Sequence, residues 1–165
     1  MKRNLLLVFI ALFCSADIHA QNELPKMHSL FFFLGSWKGE GAFAKGKKIE
    51  ATAQFQLTLD SAWIRYEHTD QAPGKYKALS VWGIDANSGI LSATVFDNFH
   101  GYRKFESGGW SDNRLIITYM SDKDKVIFEH FVYEKLSPDS FKMTFEVSKD
   151  AMKWTMVDWL VFKRL

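Results

Sequence analysis

The sequence predicts an all-β protein: a closed antiparallel barrel of about ten strands, with a short N-terminal helix that follows an export signal. Three observations carry this expectation. From Ile49 the chain alternates for eleven residues, with Ile49, Ala51, Ala53, Phe55, Leu57 and Leu59 on one face and Glu50, Thr52, Gln54, Gln56 and Thr58 on the other, which is the period of a half-buried strand and not of a helix. Clusters of turn-forming residues then recur at the short, even spacing of an antiparallel barrel or sandwich. Finally, 16% of the residues are aromatic (15 Phe, 6 Trp, 5 Tyr) while only 3 are Pro and 10 are Gly, so the chain has bulky side chains to fill an interior and little linker.

The N-terminus is read as a targeting segment. Lys2 and Arg3 precede the apolar run 5–13, and a more polar stretch ends at the small residue Ala20, the order of a secretory signal. The run is too short to cross a bilayer, which takes about 20 residues. Cleavage after Ala20 divides the chain into a signal peptide, 1–20, and a single barrel domain, 21–165, exported to a periplasm or secreted. Cys14 raises a lipoprotein alternative, but Phe13 stands before it where lipoprotein processing takes a small residue. The mature chain then carries no cysteine, hence no disulfide and no thiolate chemistry. No second apolar run is long enough to make a transmembrane segment.

The helix is expected over 27–34, where Met27, Leu30, Phe31 and Leu34 fall at i, i+3, i+4 and i+7. The first strand follows Trp37 and the second is the alternating run from Ile49. Further β-rich runs lie at 62–70, 76–84, 90–96, 99–106, 114–120, 125–136 and 153–163. Phe141, Met143, Phe145 and Val147 alternate with Lys142, Thr144 and Glu146 in the strand between the last two. The breakers Pro73-Gly74, Asn87-Ser88-Gly89, Gly108-Gly109, Ser111-Asp112-Asn113, Ser121-Asp122 and Ser137-Pro138-Asp139 separate these runs. Closing such a set on itself removes its exposed edges. On the last strand Trp154, Met156, Asp158, Leu160, Phe162 and Arg164 share a parity. With that face inward, Arg164 is expected over the Trp37 indole as a cation–π lid, with Lys163 as the substitute if the register slips by one.

Gly35-x-Trp37 opening the first strand, with a basic residue ending the last, resembles the lipocalin and wider calycin barrels. The stretch Phe33-Leu34-Gly35-Ser36-Trp37-Lys38-Gly39-Glu40-Gly41 is similar to the opening of nitrobindin-like barrels, and Trp82-Gly83-Ile84-Asp85 followed by Phe96-Asp97 resembles the family of unknown function DUF1579. The resemblance implies a calycin-like barrel around an apolar cavity. Nitrobindin-like proteins hold haem iron through a histidine near the C-terminus, and residues 151–165 contain none, so that role passes to no position by motif.

Lys and Arg number 21 against 19 Asp and Glu, a balance that argues against a nucleic-acid partner. His28, His68, His100 and His130 follow the signal segment, and no two are spaced as local metal ligands, so no metal is expected. The sequence contains no nucleophile elbow, phosphate loop or dinucleotide fingerprint. Lys45, Lys47 and Lys48 are expected in a solvated hairpin turn. His130 alternates with Val126, Phe128 and Val132, which would place it on the cavity wall. Asp158 stands between Met156 and Leu160 as a carboxylate on an apolar face. Period two puts Arg65 and Glu67 on one face and Tyr66 and His68 on the other, so one of these pairs faces inward: Arg65 suits a carboxylate tail, Tyr66 and His68 a hydroxyl or carbonyl.

The expected function is binding of a small apolar or amphipathic molecule. Trp82, Phe96, Tyr119, Phe128 and Trp154 are its wall candidates; Arg65, His130 and Asp158 are its polar ones. The alternatives are a barrel isomerase, cyclase or hydrolase with His130 and Asp158 as acid and base, and a haem or nitrogen-oxide protein with His130 as iron ligand. The leading reading needs no cofactor.

Overall fold

The computed structural model describes residues 26–121 and 127–165; the expected signal segment, 1–20, and Val126 lie outside them. A 3₁₀ helix, Met27–Phe33, leads into eleven strands: β1 Gly35–Phe43, β2 Lys48–Thr58, β3 Trp63–Asp70, β4 Lys77–Ile84, β5 Leu91–Asp97, β6 Tyr102–Ser107, β7 Trp110–Ser111, β8 Arg114–Met120, β9 Phe128–Ser137, β10 Ser140–Ser148 and β11 Thr155–Arg164. All pairings are antiparallel, in the order β6-β5-β4-β3-β2-β1-β11-β10-β9-β8-β7. Pairing of β6 with β8 closes ten strands into a barrel, and the two-residue β7 is a side hairpin on β8.

The first and last strands pair, with Trp37 opposite Arg164 and Phe43 opposite Asp158. That junction is fully laddered. The thin seam is elsewhere: β6 and β8 share the pair Glu106–Thr118, and the Arg103–Glu129 ion pair at 2.7 Å joins β6 to β9 near it.

Chain direction gives the barrel two ends. The helix and the β2–β3, β4–β5 and β9–β10 turns gather at one; the β1–β2, β3–β4, β5–β6 and β10–β11 loops gather at the other. The helix has threefold, not 3.6-fold, periodicity, so Leu30 and Phe33 are buried and Phe31, expected inside, is 40% exposed. The Phe33 ring plugs its end, 5.2–5.6 Å from the rings of Phe55, Trp82, Trp110, Tyr133 and Phe141. The Trp37 indole N–H donates to the Phe33 carbonyl at 2.7 Å. The Arg164 guanidinium lies 4.1 Å from the Trp37 ring centroid, donates to the Leu34 and Phe32 carbonyls, and its Nε donates to Asp139 at 2.9 Å. These bonds satisfy the carbonyls where helix gives way to strand.

Two strands depart from the expected phase. On β9, Phe131 and Tyr133 face the interior and His130 and Val132 the outer face of the wall, where neighbouring side chains bury both; both parities of this strand carry apolar residues. On β11, Phe145 pairs with Asp158 but Glu146 pairs with Met156, so Val157 is an extra residue. A bulge of this kind reverses parity: Asp158, Leu160 and Phe162 stay inside while Trp154 falls outside.

Candidate functional site

Midway along the barrel the inward positions of β1 and β2 are small, Gly39, Gly41, Ala51 and Ala53, and Phe43 and Ile49 follow toward the open end. A Cβ on Gly39 would lie 2.6 Å from the Phe162 ring, so the Phe162 side chain occupies the space beside this glycine. Beyond them, toward the open end, is a cavity of about 580 Å³. Its apolar walls come from Trp82, Val95, Ile117, Phe131, Met143 and Phe145, and Phe43, Lys47, Lys48, Lys75, Tyr76 and Phe99 stand around the mouth. Lys47 and Lys48, expected in a plain solvated turn, thus border the entrance.

Strand β3 supplies the polar side of the cavity. Alternation turns Tyr66, His68 and Asp70 inward together. Asp70 accepts from His68 Nε2 at 3.0 Å, which leaves Nδ1 of the neutral imidazole to accept from the Tyr66 hydroxyl at 3.1 Å. Tyr66 stacks on Phe55 with centroids 4.1 Å apart, and burial pushes its hydroxyl far above the ordinary phenol range, so it stays protonated. Burial does the same to Tyr133. The Tyr133 hydroxyl borders the cavity without a hydrogen-bond partner among the described residues, although the residue is only 2% exposed.

Asp158 faces the same space from β11. Burial raises its carboxyl pKa to about 6, with His68 opposing the rise and Asp70 adding to it. No described residue forms a hydrogen bond or ion pair with that carboxyl group. Arg103, also on the wall, is committed to Asp97 at 2.8 Å and Glu129 at 2.7 Å, with the Tyr76 hydroxyl at 3.3 Å; its buried Nε has no partner among the described residues. The Trp82 indole N–H donates to Ser80 at 2.8 Å.

Of the residues singled out from sequence, Trp82 and Asp158 line the cavity, as do Tyr66 and His68. Tyr119 points inward but packs on Phe105, at 5.7 Å, without bordering the space. The other candidates are on the outside. Arg65 is exposed and pairs with Glu67, since the other parity of β3 is the inner one. Phe96 is 48% exposed beside Tyr102. Phe128 and His130 follow the reversed phase of β9. His130 Nε2 meets Glu146 at 2.6 Å, and Trp154 stacks on the imidazole at 3.4 Å between centroids. His130 and Asp158 therefore sit on opposite faces of the wall and do not form the expected acid–base pair. Sequence reasoning missed Asp70, Tyr76, Arg103 and Tyr133. Extending period two from Tyr66 and His68 by one step would have found Asp70; nothing local marks the others.

A haem fits this arrangement poorly. In the cavity His68 has both ring nitrogens engaged by Tyr66 and Asp70, His130 is on the outer face, and His28 and His100 are exposed. Among the described residues no group of three His, Cys, Asp or Glu side chains is arranged to hold a metal. No helix among them is long and apolar enough to cross a membrane.

No known family model matches the chain, and a search of curated proteins returns no significant match.

Proposed function

We propose that this protein is an exported binding barrel of calycin type that holds a small amphipathic molecule in its open-end cavity. One observation carries the reading: a space of about 580 Å³, within the 300–1,000 Å³ usual for small-molecule sites, with apolar walls and a few convergent polar groups. The apolar body of the ligand lies against Trp82, Val95, Ile117, Phe131, Met143 and Phe145. Its polar end meets the hydroxyl of Tyr133 and the carboxyl of Asp158, which have no hydrogen-bond partner among the described residues, and the free lone pair of the Tyr66 oxygen. Export rests on the Lys2-Arg3 and 5–13 pattern, and the relationship to DUF1579 and nitrobindin-like barrels on the motifs around Trp37 and Trp82.

The test is a titration with N-phenyl-1-naphthylamine, a neutral dye that fluoresces in apolar surroundings. One molecule per chain binds saturably, and Ala78→Trp, which fills the cavity from its wall, abolishes binding without unfolding the protein. Equal binding by this variant places the dye on the surface and defeats the proposal.

A second reading is favoured by the carboxyl of Asp158, which titrates near pH 6 beside His68: acid–base catalysis on the bound molecule, using His68 in place of His130. Mass spectrometry of co-purified ligand before and after incubation distinguishes the two, since a binding protein returns it unchanged.

A further inference from the structure

We infer that the molecule this cavity selects carries a primary ammonium group on an apolar body. The inference rests on the binding reading above and gives its ligand a chemical class. The carboxylates of Asp70, Asp97, Glu129 and Asp158 are gathered on the interior side toward the open end, and the guanidinium of Arg103 is the cation set among them. Even with His68 protonated, the balance is negative. Arg103 already answers two of those carboxylates, and His68 answers Asp70. Asp158 is left without a hydrogen-bonded or ion-paired donor among the described residues.

Two buried phenols sharpen the match. Tyr133 is 2% exposed, borders the cavity and has no partner for its hydroxyl among the described residues. With the His68 imidazole neutral, the Tyr66 hydroxyl donates a hydrogen bond to its Nδ1 and its oxygen keeps lone pairs for the cavity. An ammonium has three N–H donors and no acceptor. On the lining of this cavity the Asp158 carboxylate is the charged acceptor and the two phenol oxygens are neutral ones, and Trp82 and the tyrosine rings supply faces for a cation. A carboxylate head would instead bring like charge to Asp158. The partnerless Arg103 Nε could take an acceptor, but on a guanidinium whose charge is already met. Lys47, Lys48 and Lys75 at the mouth are exposed, where physiological salt screens charges beyond about 8 Å.

The experiment displaces N-phenyl-1-naphthylamine from the protein at pH 7.5 with 1-octylamine, octanoate or 1-octanol, which share a tail and differ in the head. Octylamine is expected to displace the dye at a concentration at least tenfold below that of octanol, with octanoate weakest. Asp158→Asn, which keeps the shape and removes the charge, should reduce the amine preference at least fivefold and leave octanol unchanged. Tyr133→Phe, a second variant that keeps the ring packing, should reduce it by a smaller factor. Octanol or octanoate equalling the amine, or an undiminished amine preference in Asp158→Asn, overturns the ammonium assignment and leaves the binding reading intact. Failure of the dye to bind the wild-type protein at all overturns both.

Discussion

At the helix end of the barrel the inward side chains are Trp37, Phe55, Trp82 and Phe141, and Phe33 fills what remains between them. Toward the open end β1, β2 and β4 contribute Gly39, Ala51 and Ala78, β9 and β10 still bring in Phe131 and Phe145, and the inward polar groups are His68, Asp70, Arg103 and Asp158. Alternation is the same at both ends; only the choice of side chain differs. Each buried aromatic stabilises through the area it removes from water, roughly 25 cal/mol per Å². A buried carboxylate without a donor opposes folding. The difference locates stability at one end and binding at the other, and single substitutions can separate the two.

The largest effect is expected from Phe33→Ala. Removing a fully buried ring that packs against six others should cost about 3–5 kcal/mol in denaturant unfolding, while dye affinity of the molecules that remain folded stays unchanged. A loss of affinity with little loss of stability would reverse the assignment of the two ends.

Asp158→Asn should act in the opposite direction. The folded-state pKa, about 6, is above the ordinary 3.8, so the native state holds this proton more tightly than the unfolded chain does. The wild type therefore loses stability relative to the variant as pH rises from about 4 to about 6, and the gap is constant above that. The variant should be more stable by about 1–3 kcal/mol at pH 8 and equal at pH 3.5. A variant less stable at pH 8 would mean that the carboxylate has a partner in the folded state.

Arg164→Ala removes the contact with Trp37 and the bonds to the Leu34 and Phe32 carbonyls, and should destabilise by about 1–2 kcal/mol without changing dye affinity. Arg65→Ala, on the exposed outer face, should change stability by less than about 0.5 kcal/mol and affinity not at all. Weakened binding in Arg65→Ala would put the outer pair of β3, not Tyr66 and His68, at the site.

The strands and the meeting of Trp37 with Arg164 were legible in the sequence because alternation and turn residues are local, and because the first and last strands of an up-and-down barrel end as neighbours. The site was legible only where a strand had one apolar parity. On β3 the adjacent Trp63 and Ile64 are apolar on opposite parities, so pattern did not choose between the Arg65 and Tyr66 faces; in the structure Tyr66, His68 and Asp70 follow Ile64 inward and Arg65 is outside. On β9, Phe128 and Val132 oppose Phe131 and Tyr133, so pattern alone cannot choose a face, and His130 was placed inside when it is outside. On β11 the extra residue Val157 is invisible to parity counting and carried Trp154 to the wrong face. The helix differed for a similar reason: 3.0 and 3.6 residues per turn agree at Leu30 and part at Phe31 and Phe33.

Hydrogen–deuterium exchange with and without N-phenyl-1-naphthylamine tests the division of the barrel most directly, because it reports every strand end at once. Added protection should be confined to the open end, at 43–49, 68–78, 97–103, 129–133 and 156–159. The helix end, at 30–37, 137–141 and 161–164, should exchange as before. Protection at the helix end instead, or on the exposed outer residues Leu79 and Phe96, would contradict the placement of the binding site in the cavity.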